Sequence, residues 1–392
     1  MQTKSNIIVF DIETTINAPS PHFGATPHHR DNDIVLLGYL EDFGEIKITE
    51  DPLELKDRIG AGTRLVGHNI AFDLSYLMRH FEISPQVEVW DTQKFDYLLC
   101  GRGARTPSLE KTAERMEVPF KKDEEIKERF RVGIGSDKIC RRLLTEYLEE
   151  DVRTTAAVYL HQLNAIPEDT NRSAYIQKLM QGVLVTTQMA FNGLPFQVGG
   201  ARKEIEEIIL EKEHRVSEAT ERYARHWPTP LGEFNLSSPS QIKLFLWGGE
   251  KKYSVDTQVI NEQGEPIRYK TGDRVGEIKT KKETKVYVLD GLCSAKIKRE
   301  FSLKGWETNT DDTALKRLIE LDKTSKEVRE FSKDVLKIRN LEKTISTYYK
   351  PYIEYSIDGR IHPNYNHCIT QTGRLSSSKP NMQNISGKGT AQ

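Results

Sequence analysis

The sequence predicts an α/β sheet domain followed by a mainly helical region that carries a small β-rich insertion. Three observations predict it. Over residues 1–165, apolar runs of strand length alternate with stretches of helical spacing, the pattern of a sheet flanked by helices. From residue 166 the apolar positions recur every three or four residues, the period of a helix packed along one face. Between 250 and 305 that period vanishes and short alternating runs replace it.

Composition bounds the function classes. A chain of 392 residues has room for two to three domains with sizeable cores. Hydrophobic residues make up 37% and charged residues 29%, which fits a globular chain rather than a disordered one. The formal net charge is −1, so any binding of nucleic acid must use local patches. The cysteines Cys100, Cys140, Cys293 and Cys368 are far apart with no C-x-x-C pair, which argues against a zinc site or a disulfide framework and fits a reducing cytoplasm. No apolar run reaches membrane-spanning length, so no membrane partner is expected.

The first strand is Ile7-Ile8-Val9-Phe10-Asp11-Ile12-Glu13. Side chains of a strand alternate faces, so Asp11 and Glu13 point the same way. Two like charges on one face repel unless a cation sits between them, and Mg²⁺ or Mn²⁺ prefers oxygen ligands. The pair alone more often marks two solvated acids at a strand end. Further strands are expected at 34–40, 64–69 and 87–92, with helices at 72–81, 94–99, 108–116 and 137–163. Asp73 falls in the first turn of its helix, just past a strand's carboxyl end, where ligands of such sheets gather. Tyr147 and Asp151 are four apart on a helix and share a face; a solvated Glu149-Glu150-Asp151 run is the bland alternative.

Taken together, three stretches resemble the motifs of the DEDD-type 3′–5′ exonucleases, in the subclass with a tyrosine. They are Asp11-x-Glu13, Asn69-Ile70-Ala71-Phe72-Asp73 and Tyr147-x-x-x-Asp151. The resemblance implies a ribonuclease H-like mixed sheet with flanking helices, and a site for two Mg²⁺ (or Mn²⁺). By it, Asp11 bridges both ions, Glu13 and Asp151 complete one, and Asp73 holds the other. Tyr147 orients the attacking water. It also offers Thr14, Asn69, Phe72 and Leu77 as contacts to a single-stranded 3′ end, although core packing is the default for Phe72 and Leu77. For His68 a satisfied packing role is favoured over a DNA contact, and for Asp91 either support of the metal ligands or a structural role is expected.

The region after Pro167 resembles a second family. Met189–Val198 and the stretch Phe234-Asn235-Leu236-Ser237-Ser238-Pro239-Ser240-Gln241 resemble the thumb of family A (DNA polymerase I-type) DNA polymerases. Helices are expected over 200–226 and from Val328 to Tyr348, pairing as the stalk of a thumb, with Thr310-Asp311-Asp312 able to cap another. Then comes Thr372-Gly373-Arg374-Leu375-Ser376-Ser377-Ser378-Lys379-Pro380-Asn381-Met382-Gln383-Asn384-Ile385, which resembles the family's first palm segment. Serine and glycine let backbone approach phosphates, and arginine can fork onto them. The resemblance makes Ser238, Gln241, Arg374, Ser376, Ser377, Asn381, Gln383 and Asn384 the expected DNA contacts.

The insertion at 250–305 lies outside the resemblance. Over 250–304 it holds 13 Lys+Arg against 9 Asp+Glu, a local +4. Contact with duplex phosphates and docking of an accessory protein both stay open, beside a plain solvated hairpin.

The resulting expectation has three parts: an exonuclease domain over 1–165, a thumb over 166–350 and the beginning of a palm over 351–392. The chain is read as the N-terminal portion of a family A DNA polymerase, proofreading in the cytoplasm (that of a host, if phage-encoded). Its DNA partner is a primer-template. No Asp or Glu follows Asp358, so polymerisation is expected to need palm and fingers beyond this stretch, from a second polypeptide if the polymerase is split or from the rest of the protein if the chain is a truncated product. A stand-alone 3′–5′ exonuclease and a non-catalytic DNA-binding scaffold are the alternatives.

Overall fold

The computed structural model describes residues 6–17, 24–100, 107–120, 124–166, 168–370 and 372–385; the break expected at Pro167 has that proline outside them. The first strands are β1 (Ile7–Thr14), β2 (Ile34–Glu41), β3 (Lys47–Thr49), β4 (Arg64–Gly67) and β5 (Glu88–Asp91). They form one sheet in the order β3-β2-β1-β4-β5. β2 runs antiparallel to β1 and β3, while β4 runs parallel to β1 and β5. The sheet is therefore mixed, with β1 at its centre.

Helices cover both faces. They are α1 (Ala71–His80), α2 (Thr92–Cys100), α3 (Leu109–Arg115), α4 (Glu124–Arg131), α5 (Arg141–Asn164) and α6 (Thr170–Asn192). Ile8, Phe10 and Ile12 pack with Leu74 and Leu77 of α1 and Val183 of α6. Val9, of opposite parity, packs with Leu144, Leu148 and Val152 of α5. This parity decides the chemistry, because Asp11 and Glu13 share the face of Val9 and so look toward α5. Gly38 stands opposite Asp11 in β2. A Cβ there would come within 2.8 Å of Leu148 and 3.1 Å of Val152, so the glycine lets α5 lie close against the sheet.

The order of elements follows the expected one, with differences at the edges. The helix expected over 137–163 starts at Arg141, because Ile139 and Cys140 are extended (ψ 145° and 126°) after a 3₁₀ turn at Ser136–Lys138. The edge strand β3 and the helix α4 were not expected. α4 buries only Ile126, too few apolar positions to set a period.

The chain divides into two compact units. One holds the residues up to Gly199 together with those from Pro351 on; the other is Gly200–Lys350. These limits differ from an exonuclease–thumb boundary at 165/166, because α6 belongs to the first unit by its apolar side chains. Ile176 and Met180 join one core of the sheet, Val183 and Leu184 the other. Gly193, at φ +61°, ends α6. The short strand β6 (Leu194–Pro195) follows.

The second unit is built from α7 (Val198–Ala224), α8 (Pro239–Trp247), β7 (Gly249–Gln258), β8 (Thr280–Leu289), α9 (Ala295–Leu303), α10 (Asp312–Glu320) and α11 (Lys326–Lys343). A π-helical turn at Thr344–Tyr349 continues α11. Aromatic rings form its centre: Phe331 lies 4.9 Å from Tyr223 and 4.8 Å from Phe245, centroid to centroid. α7 and α11 are paired, as expected. Asp334 of α11 accepts from Tyr223 (2.9 Å) and Arg222 (3.0 Å), and Lys212 reaches Glu342 at 2.7 Å.

β7 and β8 make the antiparallel ribbon expected in the insertion, with ten residue pairs in register. Two glycines cross at its foot. Gly248 has φ +71°, and a Cβ on Gly291 would stand 2.3 Å from the Gly248 nitrogen. Asp311 caps α10 through a 2.7 Å bond from the Ala314 amide. Asp311→Ala is expected to destabilise this unit by about 1 kcal/mol, read as a shifted denaturant midpoint.

The last segment packs with the first unit. It comprises α12 (Lys350–Glu354), β9 (Ser356–Ile357), β10 (Arg360–Ile361), β11 (Asn364–Asn366) and β12 (Ser376–Ser378). β10 pairs with both β6 and β9, and β11 with β12. His362 stacks on His28 at 3.6 Å, and His367 meets Thr186 at 2.8 Å. Among the described residues, no helix is long and apolar enough to cross a membrane.

Candidate metal centre

Four acids expected to act together come from three elements. β1 supplies Asp11 and Glu13, the first turn of α1 supplies Asp73, and the middle of α5 supplies Asp151. Asp11, Glu13 and Asp151 each present a carboxylate oxygen within 4.8 Å of the others. Asp73 is buried, and Asp11 is the charge that acts on it most. The structure thus joins three of the four directly and sets the fourth within electrostatic reach.

The electrostatics show how uncomfortable this cluster is alone. Burial first, then Glu13, pushes Asp11 up to about 8. Burial also pushes Glu13 up to about 8; a hydrogen bond from Ser136 opposes the rise and Asp151 reinforces it. Asp73 and Asp151 are raised well above the ordinary carboxylate range, by burial and then by Asp11. Tyr147, one turn before Asp151, is bonded to it and held fully protonated by burial and by the surrounding carboxylates. Buried anions require either protons or a cation. Lys127 of α4 acts on Asp151 from a distance, yet its ammonium is bonded to Glu110 at 2.9 Å. The donor set is all oxygen and acidic, which suits a hard divalent cation.

Sequence reasoning missed the supports of this cluster. Ser136 Oγ donates to Glu13 Oε2 at 2.8 Å; it sits in a loop with no motif to mark it. Asn69, at φ +60°, turns the chain from β4 into α1. Its amide donates to Asp91 Oδ1 (3.1 Å), and its side-chain oxygen accepts from Lys94 Nζ (3.2 Å). Asp91 Oδ1 also accepts from the amides of Gln93 and Lys94, and so ties the start of α2 to the turn before α1. Of the two roles expected of Asp91, that is the structural one. His68 is likewise satisfied, by Thr92 at 2.9 Å and the Pro107 carbonyl at 3.0 Å, and burial lowers it to about 4.

The expected DNA contacts divide. Asn69 is exposed, Phe72 is half-buried, and both line a cavity of about 250 Å³ beside His367 and Lys94. Leu77 is a correction: it is fully buried in the core under the sheet, because its position on α1 faces β1, and it has no surface for a base. Thr14 is buried too, with its hydroxyl bonded to Tyr76. In the second unit, Ser238 caps α8 by accepting from the Gln241 amide, and Gln241 Oε1 accepts from the Asn235 amide at 2.7 Å. In the last segment Arg374, Asn381, Gln383 and Asn384 are exposed. Ser376 and Ser377 lie in β12, and the Ser377 hydroxyl accepts from the Met382 amide at 2.8 Å. Asn381 Oδ1 holds the following turn through the Gln383 amide at 3.0 Å.

Fold and site define a mixed-sheet α/β protein with a buried carboxylate cluster fit for divalent cations. Comparison with known proteins adds a likeness in the later part of the chain. The model of DNA polymerase family A matches residues 270–392. DNA polymerase I of Lactococcus lactis subsp. cremoris is 50% identical over 52 residues, 13% of this chain and 6% of that protein. DNA polymerase I of Geobacillus stearothermophilus is 41% identical over 58 residues, 14% of this chain and 7% of that protein. Residues 270–392 are thus similar to DNA polymerase family A, and the chain spans only a small part of the length of the curated relatives it matches. A solved structure, the POL domain of Pol1 from M. smegmatis in complex with DNA primer-template and dNTP, shares the fold with a TM-score of 0.57 at 17% identity. The likeness covers all of this chain and 54% of that one.

Proposed function

We propose that the first unit is a metal-dependent 3′–5′ exonuclease acting on the single-stranded 3′ end of DNA, in a chain that serves a family A DNA polymerase as its proofreading part. One observation carries this reading: Asp11, Glu13 and Asp151 converge within 4.8 Å, with Tyr147 bonded to Asp151 and Asp73 buried nearby. A solvated acidic surface would not be buried, and would not raise its own carboxyls this far. In this reading the β-sheet unit is ribonuclease H-like, and Gly200–Lys350 is the thumb that grips primer-template. Residues 351–385 form the first part of the palm.

The residues fit two divalent cations, Mg²⁺ or Mn²⁺. Asp11, Glu13 and Asp151 would hold one; Asp73, with Asp11, would hold the other. When bound, such ions lower the pKa of water and offset charge on a departing phosphate oxygen. The chain's own groups supply placement. Tyr147 keeps its proton and can donate it in a hydrogen bond to orient the attacking water; as a phenol raised above its usual range, it is no base near neutrality. Ser136 holds Glu13 in one orientation. Phe72, beside Tyr76 at 5.2 Å, offers a ring edge to the terminal base.

Tyr147→Phe removes the donor and keeps the ring that packs on Phe130. Loss of one positioned hydrogen bond is expected to slow degradation of a 5′-labelled single strand about 10- to 100-fold in kcat, with little change in KM. A primer-extension and degradation assay with Mg²⁺, with and without dNTPs, tests the whole reading. Shortening of the primer supports it. A chain that leaves DNA intact under all conditions favours the scaffold reading.

A further inference from the structure

The β7–β8 ribbon has two faces, and they carry different charge. In an antiparallel pair, residues directly opposite each other share a face. Lys251 faces Tyr287, Tyr253 faces Lys285, Val255 faces Glu283 and Thr257 faces Lys281. That face therefore holds three lysines and two tyrosines against one acid. The other face alternates them: Glu250 with Val288, Lys252 with Val286, and Asp256 with Lys282. Its two lysines are offset by two acids.

On the basic face all three lysines are exposed, while Tyr253, Val255 and Tyr287 are half-buried. Among the described residues no salt bridge is formed by Lys251, Lys281 or Lys285. Over ten residues the ribbon is about 33 Å long, with Lys281 and Lys285 about 13 Å apart along one strand. No further strand pairs with β7 or β8 along this length, so both edges of the ribbon are open.

We propose that the face of Lys251, Lys281 and Lys285 docks on the phosphate backbone of duplex DNA, so that the ribbon extends the grip of the second unit. A two-stranded ribbon fits the major groove, and exposed lysines along one face of it match closely spaced phosphates. Lysine is depleted at the centres of protein–protein interfaces, which disfavours an accessory protein on this face. The inference rests on the reading that the chain works on DNA, and goes beyond it by assigning a surface outside the exonuclease site.

The test compares two variants of equal charge change, Lys251→Gln with Lys285→Gln and Lys252→Gln with Lys282→Gln, in the full chain. Binding to a labelled duplex of about 30 base pairs is followed by anisotropy in EDTA across a salt series, so cleavage does not enter. The basic-face pair is expected to weaken binding about tenfold or more near 0.1 M salt. It should also flatten the slope of log K against log salt by about 1.8, while the opposite pair changes neither. Equal losses from both pairs, or none from the first, would overturn the proposal. So would an equal loss on a single strand of the same length, or an accessory protein whose binding requires the same lysines. Degradation of a short single-stranded oligonucleotide is read separately; both variants should retain it, and its absence from the unmodified chain would count against the exonuclease reading alone.

Discussion

Asp11→Asn combined with Glu13→Gln is expected to abolish metal-dependent shortening of a 3′ end while the protein stays folded. The two side chains lie on one face of β1 and look toward α5, where Asp151 completes the cluster within 4.8 Å. The amides keep shape and volume but cannot supply charge to a divalent cation. Metal assistance to phosphoryl chemistry is worth several kcal/mol, so the loss should be at least about 10³-fold. The fold should survive, because strand pairing and the apolar positions Val9, Phe10 and Ile12 are untouched. Degradation of a labelled oligonucleotide in Mg²⁺, with circular dichroism as control, checks both halves. Full activity in the folded double variant would remove the exonuclease assignment.

The same cluster should make the metal-free protein lose stability as pH rises. Burial and the neighbouring carboxylates push Asp11 and Glu13 up to about 8 in the folded chain, against about 4 when unfolded. Between those values the folded state holds more protons than the unfolded state. The slope of unfolding free energy with pH is then negative: the stabilisation is fully present below pH ~4 and lost as pH climbs through about 8. Two groups over about three pH units at about 1.36 kcal/mol per unit set an upper bound of about 8 kcal/mol on the fall from pH 5 to 8.5. Added Mg²⁺ or Mn²⁺ should cancel it, since binding to the folded state alone stabilises that state. Asp11→Asn should reverse the ranking. Without metal at pH 8 the variant is more stable than the parent; with metal, less. Thermal melts in EDTA and in Mg²⁺ across this range decide it, and a metal-free midpoint independent of pH would show that the carboxylates are not packed as described.

Much of the architecture was legible because it is written in local periodicity. The alternation of β1 forced Asp11 and Glu13 onto one face, and the four-residue spacing of Tyr147 and Asp151 forced them onto another. Asp311 at the start of α10 and Gly193 at the end of α6 act where capping chemistry expects them. The resemblance in residues 372–385 fell where the family model matches. Legibility failed where a residue's role depends on a partner far along the chain. Ser136 supports Glu13 across 123 positions, and Lys94 reaches Asn69 across 25; neither pair has a spacing that marks it. Leu77 looked like a contact for a base by its motif neighbourhood, but the helix rotates it into the core.

The sequence by itself determined which residues could carry charge to a common point, since strand and helix periods are properties of the local chain. Only the tertiary structure decided that they meet. Burial of β1 between two helix layers, with Gly38 admitting α5, brings Asp151 to the acids of β1 and raises their affinity for protons. The units likewise followed packing rather than composition. α6 reads as a plain helix, and it joins the first unit because Val183 and Met180 find opposite sides of one core. The two faces of the β7–β8 ribbon were undecided until register was known, because a slip of one residue would have moved Lys281 and Lys285 to the face of Lys252.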